Sequence, residues 1–477
     1  MSFVKAIFKN SSWLLISQLT TSVLGYFWII LIARYLGVGD FGIVNFGLSF
    51  VGIMSIFMDI GISTYIVREI SQHPENLSKL IGNAIPLKII LSLFSLMITI
   101  LVLFILNKDY VTMEVCLIFI LQSIIGSFSG LFSGVFQAFG KMKYTAISGI
   151  INSVLLLISV ISAIYLNAGI FGVVVSYLIA VVVSSSYIFT QMRVKIAKPK
   201  IQINPKFWKF LIISSVGFGL TAAFSTIYFM IDGVMLFSIM GDTANGIYSA
   251  AYKILGVLTT IYAVYTTVFY PYMSKFYAES KSLLKISYYK SIKYLLLITI
   301  PIIVGIVFYS KPIVGLIYGS GYNETALALN VLIWNVIFVF INGSSTTLLN
   351  SSYNEMNVMK INCIACIVNV VLNLILIPKY SYVGASLATI VTGCVLSILL
   401  AFLINKKLFK LEFSIFKDIS KIIVSTIVLA IVLYFANLNI WIAIPVGIIV
   451  YFAMIFILKT FDKDDIYILK EVLGKNN

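Results

Sequence analysis

The sequence has 477 residues, of which 61% are hydrophobic and only 10% are charged. Soluble globular proteins carry about 25% charged residues, so this composition excludes that class and indicates an all-α polytopic membrane protein. The net charge of +16 is spread over short segments between apolar runs instead of one soluble face, so we expect no nucleic-acid partner.

Apolar runs of about 20 residues predict membrane-spanning helices, and the sequence contains fourteen such runs. The predicted spans are 12–34, 41–66, 80–106, 112–138, 145–166, 170–192, 208–240, 247–272, 292–316, 325–351, 358–378, 382–404, 420–436 and 439–458.

Basic residues predict the orientation of these helices. With both termini placed inside, 27 of the 33 Lys and Arg residues fall in inner segments and only 4 in outer segments. Positive residues concentrate on the cytoplasmic side of membrane proteins. The sequence therefore predicts a multi-pass protein of the inner (plasma) membrane with cytoplasmic N and C termini.

A glycine-rich hinge between the first two spans returns 204 positions later. The hinge residues are Gly37, Gly39, Asp40 and Gly42 in the first copy and Gly241 and Gly246 in the second. Outward turns commonly collect Gly and Asp, but two further similarities follow in the same order. Asn152–Leu155 resembles Asn369–Leu372, and Gly172–Ser176 resembles Gly384–Ala388.

These similarities predict two parallel six-helix repeats. Residues 1–200 form the predicted N-terminal lobe and residues 201–405 the predicted C-terminal lobe. Residues 406–477 then form an added helix pair and a cytoplasmic tail. Because each repeat has an even number of helices, both lobes enter the membrane in the same direction.

Several short segments resemble a known family. They are Leu36–Gly42, Asp59–Gly61, Arg68–Ile70, Ile231–Leu236 and Gly246–Lys253. Together they resemble the Wzx-type polysaccharide biosynthesis flippases of the multidrug/oligosaccharidyl-lipid/polysaccharide (MOP) exporter superfamily.

The resemblance implies a MATE-like fold and a flippase that carries undecaprenyl-pyrophosphate-linked oligosaccharide units by alternating access, for O-antigen, capsule or exopolysaccharide. It implies the lipid-linked oligosaccharide and the bilayer as partners, with a polymerase and glycosyltransferases of the same pathway. It also implies that the protein is not an enzyme.

Charged residues inside the spans are candidate binding residues, because such residues are expensive in a bilayer. Asp59 and Lys88 fall at matched depths near the inner side, and Asp232 and Lys253 at matched depths near the outer side. Each pair is either a structural ion pair or part of a central-cavity site. In the second interpretation the lysines, with Arg34 at the mouth, hold the pyrophosphate implied by the resemblance.

Two other functions compete with a flippase. A multidrug/cation antiporter of the same superfamily would share the fold, but residues 12–33 contain no acidic residue of the kind that many such antiporters use. A membrane-embedded polysaccharide polymerase generally needs a large outer loop, and the longest outer segment here is only about 311–324.

Cofactor chemistry is not indicated. The sequence has no Gly-rich loop ending in Gly-Lys-Ser/Thr for a nucleotide. Cys363 and Cys366 have the spacing of a redox or metal motif, but no further ligands lie near them in the sequence. We therefore expect neither a cofactor nor a metal.

Overall fold

The computed structural model describes residues 3–196, 198, 200–412, 414–436, 438–461 and 465. All regular secondary structure in these ranges is helical, as the composition predicts. The α-helices are α1 (Phe3–Met54), α2 (Ile56–Asp59), α3 (Ile62–Gln72), α4 (Leu77–Ile105), α5 (Tyr110–Ala138), α6 (Met142–Tyr165), α7 (Gly169–Lys195), α8 (Pro205–Met240), α9 (Asp242–Glu279), α10 (Lys281–Tyr318), α11 (Thr325–Leu332), α12 (Asn335–Ser351), α13 (Glu355–Lys407), α14 (Ser414–Ala436) and α15 (Ile440–Ile457).

Two helices are too long for one membrane crossing. α1 has 52 residues and α13 has 53, which at 1.5 Å per residue is about 80 Å against a hydrocarbon core of about 30 Å. α1 breaks at Gly37, with φ 74°, and α13 breaks at Ser381, with φ 52°. Each helix therefore contains two crossings.

The helices account for the predicted number of crossings. Eleven segments of the described chain are long and apolar enough to span a membrane. Two of these hold two crossings each, and the 38-residue α9 adds one more. The all-α fold with about fourteen spanning helices is confirmed.

Several predicted helix boundaries are wrong. The second predicted span, 41–66, is interrupted at Ile60 and Gly61. The tenth, 325–351, coincides with the membrane-length segment Thr325–Ser351, which has a short break at residues 333 and 334. The predicted inner loop around 273–291 is instead helical, since α9 and α10 are separated only by Ser280, whose hydroxyl caps α10. Hydropathy detects only the apolar part of a helix, so polar turns that extend from the membrane were missed.

The described chain forms two compact units. Unit 1 contains residues 1–249 and 373–382, and unit 2 contains residues 250–372 and 383–477. The lobe boundaries predicted near 200 and 405 follow the sequence repeat instead of this compactness, and they stay predictions.

Unit 1 contains two apolar clusters that hold its helices together. One is built on Phe46, Phe50 and Phe119, and the other on Ile62, Ile66 and Ile70 of α3. The three isoleucines recur every four residues, so they form one face of α3. This face fixes α3 beside the break that separates it from α2.

Candidate functional site

The break between α2 and α3 shapes the candidate site in unit 1. Ile60 and Gly61 both have left-handed conformations, with φ of 45° and 81°, so the helix cannot continue through them. The carboxylate of Asp59 then accepts hydrogen bonds from the hydroxyl of Ser63, at 2.5 Å, and from its backbone N–H. Asp59 therefore caps the first turn of α3.

Lys88 of α4 reaches the same carboxylate. Its Nζ forms an ion pair with Asp59 and lies 3.3 Å from the Ser63 hydroxyl. The Lys88 side chain is 0% exposed, whereas that of Asp59 is 31% exposed. The pairing of these two residues, which their matched depths predicted, is confirmed. Asp59 is the more exposed residue of the pair.

A close approach of α8 completes this region. A Cβ atom built on Gly61 would lie 2.4 Å from the backbone N of Gly219, and one built on Gly219 would lie 2.5 Å from the carbonyl oxygen of Ile60. Only glycine permits this contact at either position. The sequence analysis missed Gly219 and Ser63. The Gly217-Phe218-Gly219 pair of glycines was the available signal for the first.

The two glycine hinges meet at the other end of these helices. Gly37 and Gly241 share one conformation, with φ, ψ of 74°, −179° and 91°, −171°. A Cβ on Gly42 would lie 2.0 Å from the carbonyl oxygen of Asp242, and a Cβ on Gly246 would lie 2.0 Å from that of Val38.

This hinge contact is reciprocal. The two close pairs are Gly42 with Asp242 and Gly246 with Val38. Adding 204 to position 42 gives 246, and adding 204 to position 38 gives 242, so the repeat relates one pair to the other. Gly39 lies in the same contact, since a Cβ there would be 3.5 Å from the Asp242 carboxylate, and Asp40 follows it as an exposed residue. The equivalence of the two hinges therefore extends from sequence to backbone conformation and packing.

Asp232 of α8 is held by neutral groups of unit 1. It is 4% exposed, and its carboxylate accepts hydrogen bonds from the Tyr248 hydroxyl, at 2.9 Å, and from the Asn373 amide, at 2.6 Å. Sequence reasoning did not single out Tyr248 or Asn373 as its partners. Lys253 belongs to unit 2, so its predicted pairing with Asp232 stays a prediction.

The site residues offer two kinds of chemistry. Lys88 and the exposed Arg34 of α1 provide positive charge for an anion, while the oxygens of Asp232 and Tyr248 suit a proton or a hard cation. Among the described residues, no group of three or more His, Cys, Asp or Glu side chains is placed to hold a metal.

Comparison with known proteins identifies the family. The model of the polysaccharide biosynthesis protein family matches residues 7–277, which is more than half of the chain. The chain belongs to the polysaccharide biosynthesis protein family. A second family model, MatE, matches residues 218–375 of this family member.

Relatives and solved structures agree with this assignment. This polysaccharide biosynthesis protein is 25% identical over 411 residues to the uncharacterized membrane protein MJ1375 of Methanocaldococcus jannaschii, covering 81% of the chain and 94% of that protein. Its fold matches the lipid II flippase MurJ in an inward closed conformation, with a TM-score of 0.75 at 19% identity, covering 92% of this chain and 97% of MurJ.

An inward-facing multidrug resistance MATE transporter of the MOP superfamily also matches, with a TM-score of 0.69 at 13% identity, covering 82% of this chain and 98% of that one. The MATE-like fold predicted from the short segments is confirmed.

Proposed function

We propose that this polysaccharide biosynthesis protein is a Wzx-type flippase that moves undecaprenyl-pyrophosphate-linked oligosaccharide units across the plasma membrane. The observation that carries the proposal is the family match over residues 7–277, because it includes the hinge, the Asp59–Lys88 pair and α8. The likeness of the fold to a lipid II flippase supports a lipid-linked cargo.

Lys88 is the proposed anchor for the pyrophosphate, together with Arg34 and Lys253. Asp59 holds Lys88 when cargo is absent, and its 31% exposure leaves one side of the pair accessible to a competing anion. A phosphate oxygen that replaces the carboxylate keeps the lysine charge compensated, so exchange avoids an unpaired buried charge. Asp232 has the corresponding proposed role for Lys253.

The two glycine contacts are the proposed closures of an alternating-access cycle. In the predicted orientation the hinge contact of Gly42 and Gly246 lies on the outer side, and the contact of Gly61 with Gly219 lies on the inner side. Both are backbone approaches without bulky side chains, so they can separate and re-form without repacking a core. The cycle makes or breaks no covalent bond and uses no ATP.

Flipping in reconstituted vesicles tests the proposal. We expect the purified protein to move fluorescent undecaprenyl-pyrophosphate-linked oligosaccharide between leaflets without ATP, measured by quenching with an impermeant reductant. Lys88→Gln should slow the rate on the order of 100-fold, the effect of losing a charge-assisted contact of about 2–3 kcal/mol. Lys79→Gln is the matched control, since Lys79 lies on the same helix but is exposed, with its Nζ 4.7 Å from the Phe207 ring centroid.

Equal rates for Lys88→Gln and the control, at equal protein levels, would show that Lys88 does not bind the cargo.

In cells, a clean deletion should leave completed lipid-linked oligosaccharide in the cytoplasmic leaflet. Normal surface glycan in a deletion strain that lacks a paralogue would refute the flippase function.

A multidrug/cation antiporter is the second candidate, because the MatE model matches residues 218–375. It predicts cation-driven export of organic cations such as ethidium from the same vesicles. Ethidium export without movement of the lipid-linked oligosaccharide would favour it.

A further inference from the structure

The segment between α7 and α8 folds back onto α4. The backbone N–H of Gln202 donates to the carbonyl oxygen of Gly82 at 3.0 Å. The Asn83 amide donates at 3.1 Å to the side-chain oxygen of Gln202 and at 2.9 Å to the carbonyl oxygen of Lys79. Residues 200–202, which we call the strap, contain the predicted boundary between the two lobes.

A proline explains why α4 accepts a hydrogen bond from outside the helix. In an α-helix the carbonyl of each residue accepts from the N–H four positions later. Four positions after Gly82 stands Pro86, which has no N–H. Gly82 is buried, and a buried carbonyl without a donor is costly, above all in a membrane. The strap supplies the missing donor.

The strap approaches α4 so closely that position 82 must be glycine. A Cβ atom on Gly82 would lie 2.2 Å from the carbonyl oxygen of Lys200, much shorter than a van der Waals contact. Lys88 stands six residues after Gly82, which at 3.6 residues per turn places it about 120° around the helix. The strap and Asp59 therefore hold α4 from different sides.

The linker after the second repeat also docks on the third helix of its half. The Phe409 ring packs with Tyr288 and Tyr289 of α10, at centroid distances of 6.1 and 6.4 Å. The backbone N–H of Glu412 donates to the Tyr289 hydroxyl at 2.7 Å. The residue 204 positions after Pro86 is a lysine, so no proline frees a carbonyl at that point of α10. In the first half, by contrast, the linker bonds to the helix backbone.

We propose that the strap is a positioning element for Lys88: the backbone N–H of Gln202 replaces the donor that Pro86 removes and holds α4 where Lys88 meets Asp59. Lys88 follows Pro86 by two residues, and in its pair it is 0% exposed. Without the compensating donor the helix bends at the proline, which moves the lysine relative to the carboxylate. The consequence for transport rests on the proposed role of Lys88 in cargo binding, whereas the positioning itself does not.

Acylation of lysines in the purified full chain tests the strap without any cargo. The probe is N-hydroxysuccinimidyl acetate, and mass spectrometry measures the modified fraction of each lysine. Lys88 should be protected in the wild type. In Gln202→Pro, which lacks the N–H that reaches Gly82, acylation of Lys88 should rise on the order of tenfold, as expected from the loss of one hydrogen bond. The exposed Lys79 calibrates the reagent, and the buried Lys293 reports general unfolding.

Two further variants make the result specific to the backbone donor. Gln202→Ala keeps the N–H, so Lys88 should stay protected nearly as in the wild type. Pro86→Ala gives the Gly82 carbonyl a donor inside α4, so adding it to Gln202→Pro should restore the protection of Lys88. A change at position 202 that was merely destabilising would not be reversed in this way.

Gly82→Ala reaches the same contact from the side of α4, because its Cβ would displace the strap. It should also raise the acylation of Lys88, and Gly130→Ala on α5 is the matched control, since a Cβ there meets nothing within 4 Å.

Equal acylation of Lys88 in Gln202→Pro and the wild type would overturn the proposal. A rise that Pro86→Ala does not reverse would overturn it as well. If Gln202→Pro exposes Lys293 as much as Lys88, Gly82→Ala decides: a rise limited to Lys88 supports the strap, and no such rise refutes it.

Discussion

Lys88 and Lys293 are buried lysines on the third predicted helix of each half, and their surroundings differ. The helices that carry them, α4 and α10, begin at Leu77 and Lys281, which are 204 positions apart like the two hinges. Lys88 pairs with Asp59, beside a broken helix, and Asp59 is 31% exposed. Lys293 pairs with the fully buried Asp465 and with Asp418 of the added helix pair.

Lys293 stands 205 positions after Lys88, and the offset of 204 places Ile292 opposite Lys88, so the two lysines are neighbours in the repeat but not equivalent residues. In the first half the partner of the lysine belongs to the second helix of the same half, next to the contact of Gly61 with Gly219. In the second half the corresponding helix, α9, is unbroken, and Tyr265 stands 204 positions after Gly61. The Tyr265 hydroxyl lies 3.3 Å from that of Ser344, so neutral groups occupy that region of unit 2.

The largest effect should come from breaking the first pair. Asp59→Asn leaves Lys88 buried without its carboxylate and should lower the free energy of unfolding by about 3–5 kcal/mol, with loss of glycan export. Lys88→Met should cost less, because the Asp59 that remains is partly exposed. Thermal unfolding in detergent and a surface-glycan assay measure the two effects.

Exchanging the charges separates a structural pair from a binding site. The double variant Asp59→Lys with Lys88→Asp should recover stability but not export, since the cation then lies at a different point. Recovery of both would show that the pair only holds helices together.

The next largest effect should distinguish the second lysine. Lys293→Met leaves Asp465 bonded to Lys290 and Tyr294, so we expect a loss of about 1–3 kcal/mol with export within a few-fold of normal. The same assays apply. If export falls as far as in Lys88→Gln at normal protein levels, the proposed contrast between the halves is wrong.

Gly219→Ala changes the surroundings of Lys88 and leaves those of Lys293 unchanged. The added Cβ would lie 2.5 Å from the carbonyl oxygen of Ile60, and such overpacking costs about 1–3 kcal/mol. Export should fall because the contact with α8 cannot close. Gly217→Ala is the control, since a Cβ there meets nothing within 4 Å, and equal export by the two variants would count against this closure.

The smallest effect concerns Asp109, which provides a reference away from both lysines. Partial burial raises the pKa of this carboxyl, but hydrogen bonds from the Thr112 hydroxyl and backbone N–H outweigh it, so the pKa lies below its usual value. Because the folded-state pKa is depressed, this stability is present above about pH 4 and is lost as the pH falls further. Asp109→Ala should remove about 1 kcal/mol as a lost helix cap, and its unfolding free energy should lose less on acidification than that of the wild type. An unchanged acid dependence would refute this role.

Some contacts of the candidate site could be predicted from the sequence, and others could not. The depths of Asp59 and Lys88 were enough to predict that they meet, because opposite charges in a membrane have few other means of compensation. The same reasoning for Asp232 and Lys253 did not find Tyr248 and Asn373, since neutral hydrogen-bond partners leave no charge signal. It also passed over Lys290 and Lys293, which it counted as inner-side charges.

Hydropathy and glycine conformation are local properties of the chain, so the sequence alone was enough to predict the approximate spans and the two hinges, but not all of the helix boundaries. Only the tertiary structure decided that Lys293 meets Asp465, 172 positions away, and that Gly219 admits the break at Gly61. The physical reason is that the partner of a buried charge, or of a glycine backbone without a side chain, is set by which helices the fold brings together. Those neighbours are a property of the packed bundle and not of any one segment.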